Sequence, residues 1–211
     1  MSPRPQSKVN VLFIDNRGSF AANLVDEFAK RECHTAVHRN DIPAAEALRI
    51  LDDMPKPRLL VISSGPGTPQ TAGCSLALVQ CVPAEVPVFG VCLGHQVIVA
   101  AMGGTVTRSP VIAHGKASRI AVNASAPFFQ GLGGEITAGR YHSLVAYPDE
   151  RLFEIAARCD DIPMAVTHRV RPMFGVQFHP ESILTPQGGR IIENVISWAA
   201  DMDAEDVRGR P

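Results

Sequence analysis

Apolar positions along this chain fall into two textures. From Val9 to Asp15, Leu59 to Ser63 and Val86 to Val91 they run almost without interruption, as in strands buried on both faces. Between these runs the spacing becomes helical. Phe20, Leu24 and Phe28, with Ala21 and Val25 beside them, share one face of a helix. Pro43 to Leu51 predicts a second helix with proline in its first turn, and Leu76 to Cys81 a third. Thr35 to His38 fits a short strand. A further helix follows Cys92 and reaches Met102, where Gly103-Gly104 closes it. Strands alternating with helices predict a parallel sheet with right-handed crossovers.

The second half reads differently. Ala117 to Val122, Leu144 to Tyr147, Leu152 to Ala157, Pro163 to His168 and Met173 to Phe178 are short strand patterns separated by turn residues. They predict mixed or antiparallel additions to the sheet. A last helix is expected from Gly189 to Ala200, with Ile192, Val195 and Ile196 or Ala199 on one face. The fold class is therefore α/β: a mostly parallel, mixed central sheet with helices on both faces. Residues 1–8 read as a flexible extension, 9–200 as one domain, and 201–211 as a charged, nearly core-free tail expected to fray.

Composition narrows the function by exclusion. A formal net charge of −1 over 211 residues leaves no electrostatic footprint for nucleic acid or an anionic membrane. No apolar run reaches membrane-spanning length, and Met1 to Gln6 lacks the hydrophobic region of a signal peptide. Five cysteines, Cys33, Cys74, Cys81, Cys92 and Cys159, form neither an even framework nor a Cys-x-x-Cys pair, so a reducing cytoplasm is the expected compartment. Asn123-Ala124-Ser125 matches a glycosylation sequon by chance on this reading.

Candidate chemistry concentrates at the ends of the predicted parallel strands, where active sites of such sheets gather. Gly90-Val91-Cys92-Leu93-Gly94 is a Gly-x-Cys-x-Gly form of the strand-to-helix nucleophile elbow. A cysteine there sits at a helix N-terminus, which favours its anion. It could equally be a small apolar thiol buried at a strand end. Ser63-Ser64-Gly65-Pro66-Gly67-Thr68-Pro69 follows another strand. It reads either as a loop presenting N–H groups to an oxyanion or as a tight turn. Asp15-Asn16-Arg17-Gly18-Ser19-Phe20 follows the first strand.

The candidate base is His179 in Gly175-Val176-Gln177-Phe178-His179-Pro180-Glu181-Ser182. Residues two apart in extended chain point the same way, and Pro180 biases His179 toward extended geometry, so Glu181 can reach its ring. Such a carboxylate fixes the tautomer and stabilises the imidazolium. Of the other histidines, His34, His38 and His168 read as structural or solvated, and His95 and His142 as site-lining at best; His114 also competes for the base role. Histidine and cysteine show no paired spacing for zinc, so no metal is expected. Cys33, Cys74, Cys81 and Cys159 read as inert packing residues.

Together GVCLGHQ, SSGPGTP, GRYHSL (Gly139 to Leu144) and GVQFHPES resemble the class I, or triad, glutamine amidotransferases, with similarity from Asn10 to Ala200. The resemblance implies a flavodoxin-like fold and hydrolysis of L-glutamine to glutamate and ammonia, with ammonia passed to a second active site and no cofactor in this subunit. It implies Cys92 as nucleophile, His179 as general base and acid, and Glu181 as the orienting carboxylate. Gly65, Pro66, Gly67 and the N–H of Leu93 would surround the glutamine carbonyl oxygen, while Gln96, Ser143 and Leu144 would hold its amino and carboxylate groups. Asp15-Asn16 with Ser19-Phe20, SSGPGTP, His114-Gly115-Lys116 and GRYHSL are most similar to the glutaminase subunits of anthranilate and aminodeoxychorismate synthases. That implies a chorismate-binding synthase as hetero-oligomeric partner. The chain departs from the family pattern at Gly18, Ala21, Ala22 and Ser64, where an acid, threonine, tyrosine and proline are usual. These departures spare the triad but alter the expected glutamine mouth and synthase contact.

Overall fold

The continuous apolar runs become adjacent parallel strands because each is covered on two faces. In the computed structural model, which describes residues 8–206, β1 (Asn10–Asp15), β2 (His34–Arg39), β3 (Arg58–Ile62), β4 (Val88–Val91) and β11 (Met173–Val176) lie parallel in the order β2-β1-β3-β4-β11. Side chains alternate across them. Val11, Phe13, Leu59, Val61, Phe89 and Phe174 enter one core, and Leu12, Ile14, Leu60, Ile62, Val88 and Met173 the other. Helices α1 (Ala21–Ala29) and α5 (Gly188–Asp206) close the first core through Leu24, Phe28, Ile191, Ile192 and Val195. Helices α2 (Ala44–Asp53), α3 (Ser75–Cys81) and α4 (Leu93–Ala101) close the second through Leu51, Leu78, Val97 and Ile98. Each such side chain contributes about 1.5–3 kcal/mol by leaving water.

Beyond β11 the sheet turns antiparallel through β10 (Ile162–His168), β9 (Phe153–Cys159), β6 (Lys116–Val122) and β7 (Glu135–Arg140). A separate two-stranded sheet pairs β5 (Thr105–Arg108) with β8 (Leu144–Tyr147). The mixed sheet with helices on both faces agrees with the sequence expectation. Strands β5 and β7 were not expected, and Leu144 to Tyr147, expected to extend the main sheet, pairs with β5 in the separate one. Pro43 caps α2 from outside rather than opening its first turn. The last helix continues through Asp206, beyond the expected end at Ala200. Residues 1–7 and 207–211, in the expected extension and tail, lie outside the described residues. No helix among the described residues is long and apolar enough to cross a membrane.

Candidate active site

Cys92 occupies the sharp turn between β4 and α4. Its φ of +53° and ψ of −99° lie outside the regions that suit an L residue, and such geometry costs roughly 1–3 kcal/mol unless its surroundings impose it. Two constraints impose it here. The Cys92 N–H donates to the Val176 carbonyl at 2.8 Å, tying the turn to β11. The bracketing glycines let three backbones meet: a Cβ on Gly90 would lie 2.5 Å from Gly94, and one on Gly94 only 2.0 Å from the Ile62 carbonyl oxygen. The close approach at Gly94 is therefore to the end of β3. Cys92 as a whole is 7% exposed. It forms part of a cleft of about 340 Å³ whose wall includes Gly18, Phe20, Ser64, Gly65, Pro66, Tyr141 and His179.

Strand β11 carries the chain through Gln177 and Phe178 to His179. The backbone there is held by an antiparallel bridge to Gly139, with the His179 N–H donating to the Gly139 carbonyl at 3.0 Å. The Thr185 hydroxyl donates to the His179 carbonyl and accepts from the Gly139 N–H. His179 Nδ1 meets Glu181 Oε1 at 2.7 Å, with both side chains buried, which leaves Nε2 as the nitrogen available to Cys92. Burial disfavours the charged ring. Attraction to Cys92 and Glu181, with the hydrogen bond to Glu181, outweighs it and pushes His179 up to about 10. Phe20 and Tyr141 pack on the imidazole with centroids 4.8 and 5.1 Å away, and the Tyr141 hydroxyl meets Ser182 Oγ at 3.0 Å.

The glycine loop after β3 is positioned by Asn16, which is 2% exposed. The Asn16 N–H donates to Ser63 Oγ and its Nδ2 to the Ser63 carbonyl, both at 2.9 Å. Its Oδ1 accepts from Ser75 Oγ at 2.7 Å and from Asn40 Nδ2 at 3.0 Å. One side chain thus joins the ends of β1, β2 and β3 to the start of α3. Two family departures meet in this loop: a Cβ on Gly18 would lie 2.3 Å from the Ser64 carbonyl oxygen and 2.8 Å from its Oγ. Gly18 and Ser64 are one packing arrangement. Ala21 is buried and Ala22 exposed, and both line a separate groove of about 430 Å³ with Val25 and Val37.

The structure brings Cys92, His179, Gly65 and Pro66 to one cleft, with Glu181 behind His179. Gly67, at φ +87°, continues the loop, and Leu93 is the first residue of α4. Gln96 lies deeper, 3% exposed, with Nε2 donating to the Leu144 carbonyl at 3.2 Å and to Gln177 Oε1 at 3.0 Å. Ser143 is exposed and Leu144 half-buried. Of the competing histidines, exposed His114 reaches the cleft and packs edge-on against Tyr141. His95 does not line the cleft. It is fully buried against Gly175 with neither ring nitrogen in hydrogen-bond geometry. Burial takes it down to about 3, with the Gly175 backbone opposing and His142 adding to the fall. His142 is 4% exposed, and burial with the Arg140 charge brings it to about 4. Among the other cysteines, Cys81 is exposed and so is no packing residue, whereas burial pushes Cys33 up to about 11. Sequence reading did not single out Asn16, Phe20, Tyr141 or Gln177 individually; their signal was membership of the strand-end motifs.

Comparison with known proteins adds to this geometry. Residues 12–198 match the family described as glutamine amidotransferase class-I. Anthranilate synthase component 2 of Vibrio parahaemolyticus is 40% identical over 192 residues, 91% of this chain and 97% of that protein. The protein of the same name from Haemophilus influenzae is 40% identical over 189 residues, 90% of this chain and 97% of its own. A solved structure described as a GMP synthase protein from Thermoplasma acidophilum superposes with a TM-score of 0.83 at 26% identity, covering 95% of this chain and 98% of that one.

Proposed function

The chain belongs to the class I glutamine amidotransferase family, and we propose that it is the glutaminase component that hydrolyses L-glutamine and delivers ammonia to a chorismate-utilising synthase, with anthranilate synthase the favoured partner. The single observation that carries the chemistry is the elbow cysteine sharing one cleft with a buried histidine whose Nδ1 meets a buried carboxylate. Similarity over nearly the full length of relatives named anthranilate synthase component 2 supports the choice of partner.

The reaction follows from the parts. Cys92 Sγ attacks the side-chain amide carbon of glutamine, and the C=O electron pair moves to oxygen. Backbone N–H groups of the Gly65–Gly67 loop and Leu93 stabilise that oxyanion, each donor worth about 3–4 kcal/mol. His179, favoured as imidazolium between Cys92 and Glu181, gives its proton to the leaving nitrogen. Collapse expels ammonia and leaves a glutamyl thioester. Neutral His179 then takes a proton from water, hydroxide adds to the thioester, and the C–S bond breaks to release glutamate. Ser143 and Leu144 hold the amino and carboxylate groups of the substrate, and Gln96 acts on them through the Leu144 carbonyl.

Cys92→Ser, assayed with a chorismate-binding synthase from the same genome, is expected to lose glutamine-dependent product while added ammonium still supports it. Retained glutamine-dependent product would overturn the assignment. Identifying the product as anthranilate or aminodeoxychorismate decides the partner.

A further inference from the structure

The Cys92 sulfur has a second neighbour that the triad does not include. Gln177, fully buried, places Nε2 3.6 Å from Cys92 Sγ, and this contact ends a hydrogen-bonded chain that starts at Arg140. Arg140 Nε meets His142 Nε2 at 3.2 Å, His142 Nδ1 meets the Leu144 carbonyl at 2.9 Å, and Gln96 Nε2 bridges that carbonyl and Gln177 Oε1. Two groups that act in one way only, a guanidinium and a backbone carbonyl, fix the polarity of every contact in the chain. A guanidinium only donates, so His142 Nε2 accepts and its proton lies on Nδ1. The Leu144 carbonyl only accepts, so the nitrogen of Gln96 faces it. The same nitrogen faces Gln177, whose oxygen must therefore accept. Turning either amide over would set oxygen against oxygen, or nitrogen against nitrogen, inside a dry core. The NH₂ of Gln177 is left pointing at sulfur.

We propose that Gln177 is a hydrogen-bond donor to the Cys92 sulfur, stabilising it as a thiolate before attack and as a leaving group after it, and that Gln96 is the positioning residue that holds this donor. Its catalytic meaning rests on the glutaminase reading, but the contact does not. It also gives Gln96 a role different from direct contact with substrate.

The experiment is iodoacetamide labelling of the full chain across pH, with Cys92 resolved from the other cysteines by peptide mass spectrometry and folding checked by circular dichroism. The titratable groups around the sulfur, His179 with Glu181 behind it and the deeper His95 and His142, are left in place. Gln177→Met is expected to raise the pH midpoint of Cys92 labelling by about one unit, the size of one hydrogen bond to a charged acceptor. Gln96→Met is expected to raise it by less, and Gln177→Glu, which sets a carboxylate against sulfur, by more. In glutamine hydrolysis, kcat falls more than KM changes. An unmoved midpoint in folded Gln177→Met overturns the proposal. Where that variant does not fold, an unmoved midpoint in Gln96→Met overturns it instead. Wild-type protein that releases no glutamate, with or without a synthase, refutes the glutaminase reading, while a shifted midpoint in the same samples still upholds the donor.

Discussion

The two halves of the sheet carry different parts of the work. In the parallel half, β3, β4 and β11 are buried at every position, and their carboxyl ends, with that of β1, supply the glycine loop, Cys92, Gln177 and His179. In the antiparallel half, β6 leaves most of its positions exposed and β7 is exposed only at Glu135, its first residue. That half meets the site through Met164 on β10, whose carbonyl accepts from the Gln177 N–H, and through Gly139 to Leu144, which bridges the His179 backbone, packs Tyr141 on its ring and carries the far end of the Gln96–Gln177 chain. Reactive groups come from strands that cannot shift without opening two cores.

The contrast breaks most visibly at glycine. In the parallel half, Gly94→Ala drives a Cβ to 2.0 Å from the Ile62 carbonyl, so the elbow must open. Such overpacking costs about 1–3 kcal/mol or more, and glutamine hydrolysis is expected to fall below detection. In the antiparallel half, a Cβ on Gly134 would meet nothing within 4 Å, and Gly134→Ala is expected to melt and turn over like wild type. Thermal melts and a glutamate-release assay on the two variants check this. Equal Tm for both would show that the elbow tolerates the extra atom and that the two halves do not differ in this respect.

A smaller effect separates the halves at the level of polar contacts. Asn16→Ala in the parallel half leaves the Ser63 carbonyl, Ser75 Oγ and Asn40 Nδ2 without their shared partner. One buried unsatisfied group costs about 1–3 kcal/mol, and the glycine loop loses its anchor. Denaturant melts are expected to show that loss, with kcat falling and KM less affected. A stability loss with unchanged kcat would mean that Asn16 supports the fold but does not set the loop.

What could be read in the chain divides along the same line. The parallel strands were legible because burial on both faces leaves an unbroken apolar run, as in Arg58–Ile62 with its Leu-Leu-Val-Ile. Strand β5 was not, because Thr105–Arg108 has no fully buried residue and so no pattern to read. Nor was β7, where Gly139 and Arg140 end a strand whose burial comes from distant partners. The turn at Cys92 and the His179–Glu181 pair were legible because spacing can place a glycine-bracketed turn and an i, i+2 pair, whereas the choice between a reactive and a packed thiol at Cys92 came from the family resemblance. Asn16 and Gln177 could not be, since their partners lie 24 to 85 residues away and only the folded topology brings them together. The close approach of Gly18 to Ser64 was hidden for the same reason: two separate departures from the family pattern prove to be neighbours.

The smallest expected effect concerns acid, and it compares one histidine from each half. His95, on α4 against β11, is held near 3, and His142, just past β7, near 4, both chiefly by burial. A histidine whose folded value is depressed stays neutral in the fold while the unfolded chain takes up a proton below about 6.5. Stability therefore falls as pH drops below that value, until each folded ring protonates. His179 acts in the opposite sense: its raised value contributes stability that is fully present below about 6.5 and is lost as pH rises toward 10. Because these slopes partly cancel in the wild type, the informative quantity is how His95→Gln and His142→Gln change the pH dependence of unfolding. At pH 6 each substitution is expected to remove an acid loss of about 0.8 kcal/mol, and the two should match, since both folded values lie far below that pH and only the unfolded value matters. They should part company only below about pH 4, where His142 begins to accept its proton and His95 still refuses. Urea unfolding at pH 7.5, 6 and 5 tests the equality. An acid slope left unchanged by one substitution would mean that the ring concerned takes up its proton in the fold as readily as in the unfolded chain, and for His142 that would set a second N–H against the Arg140 guanidinium.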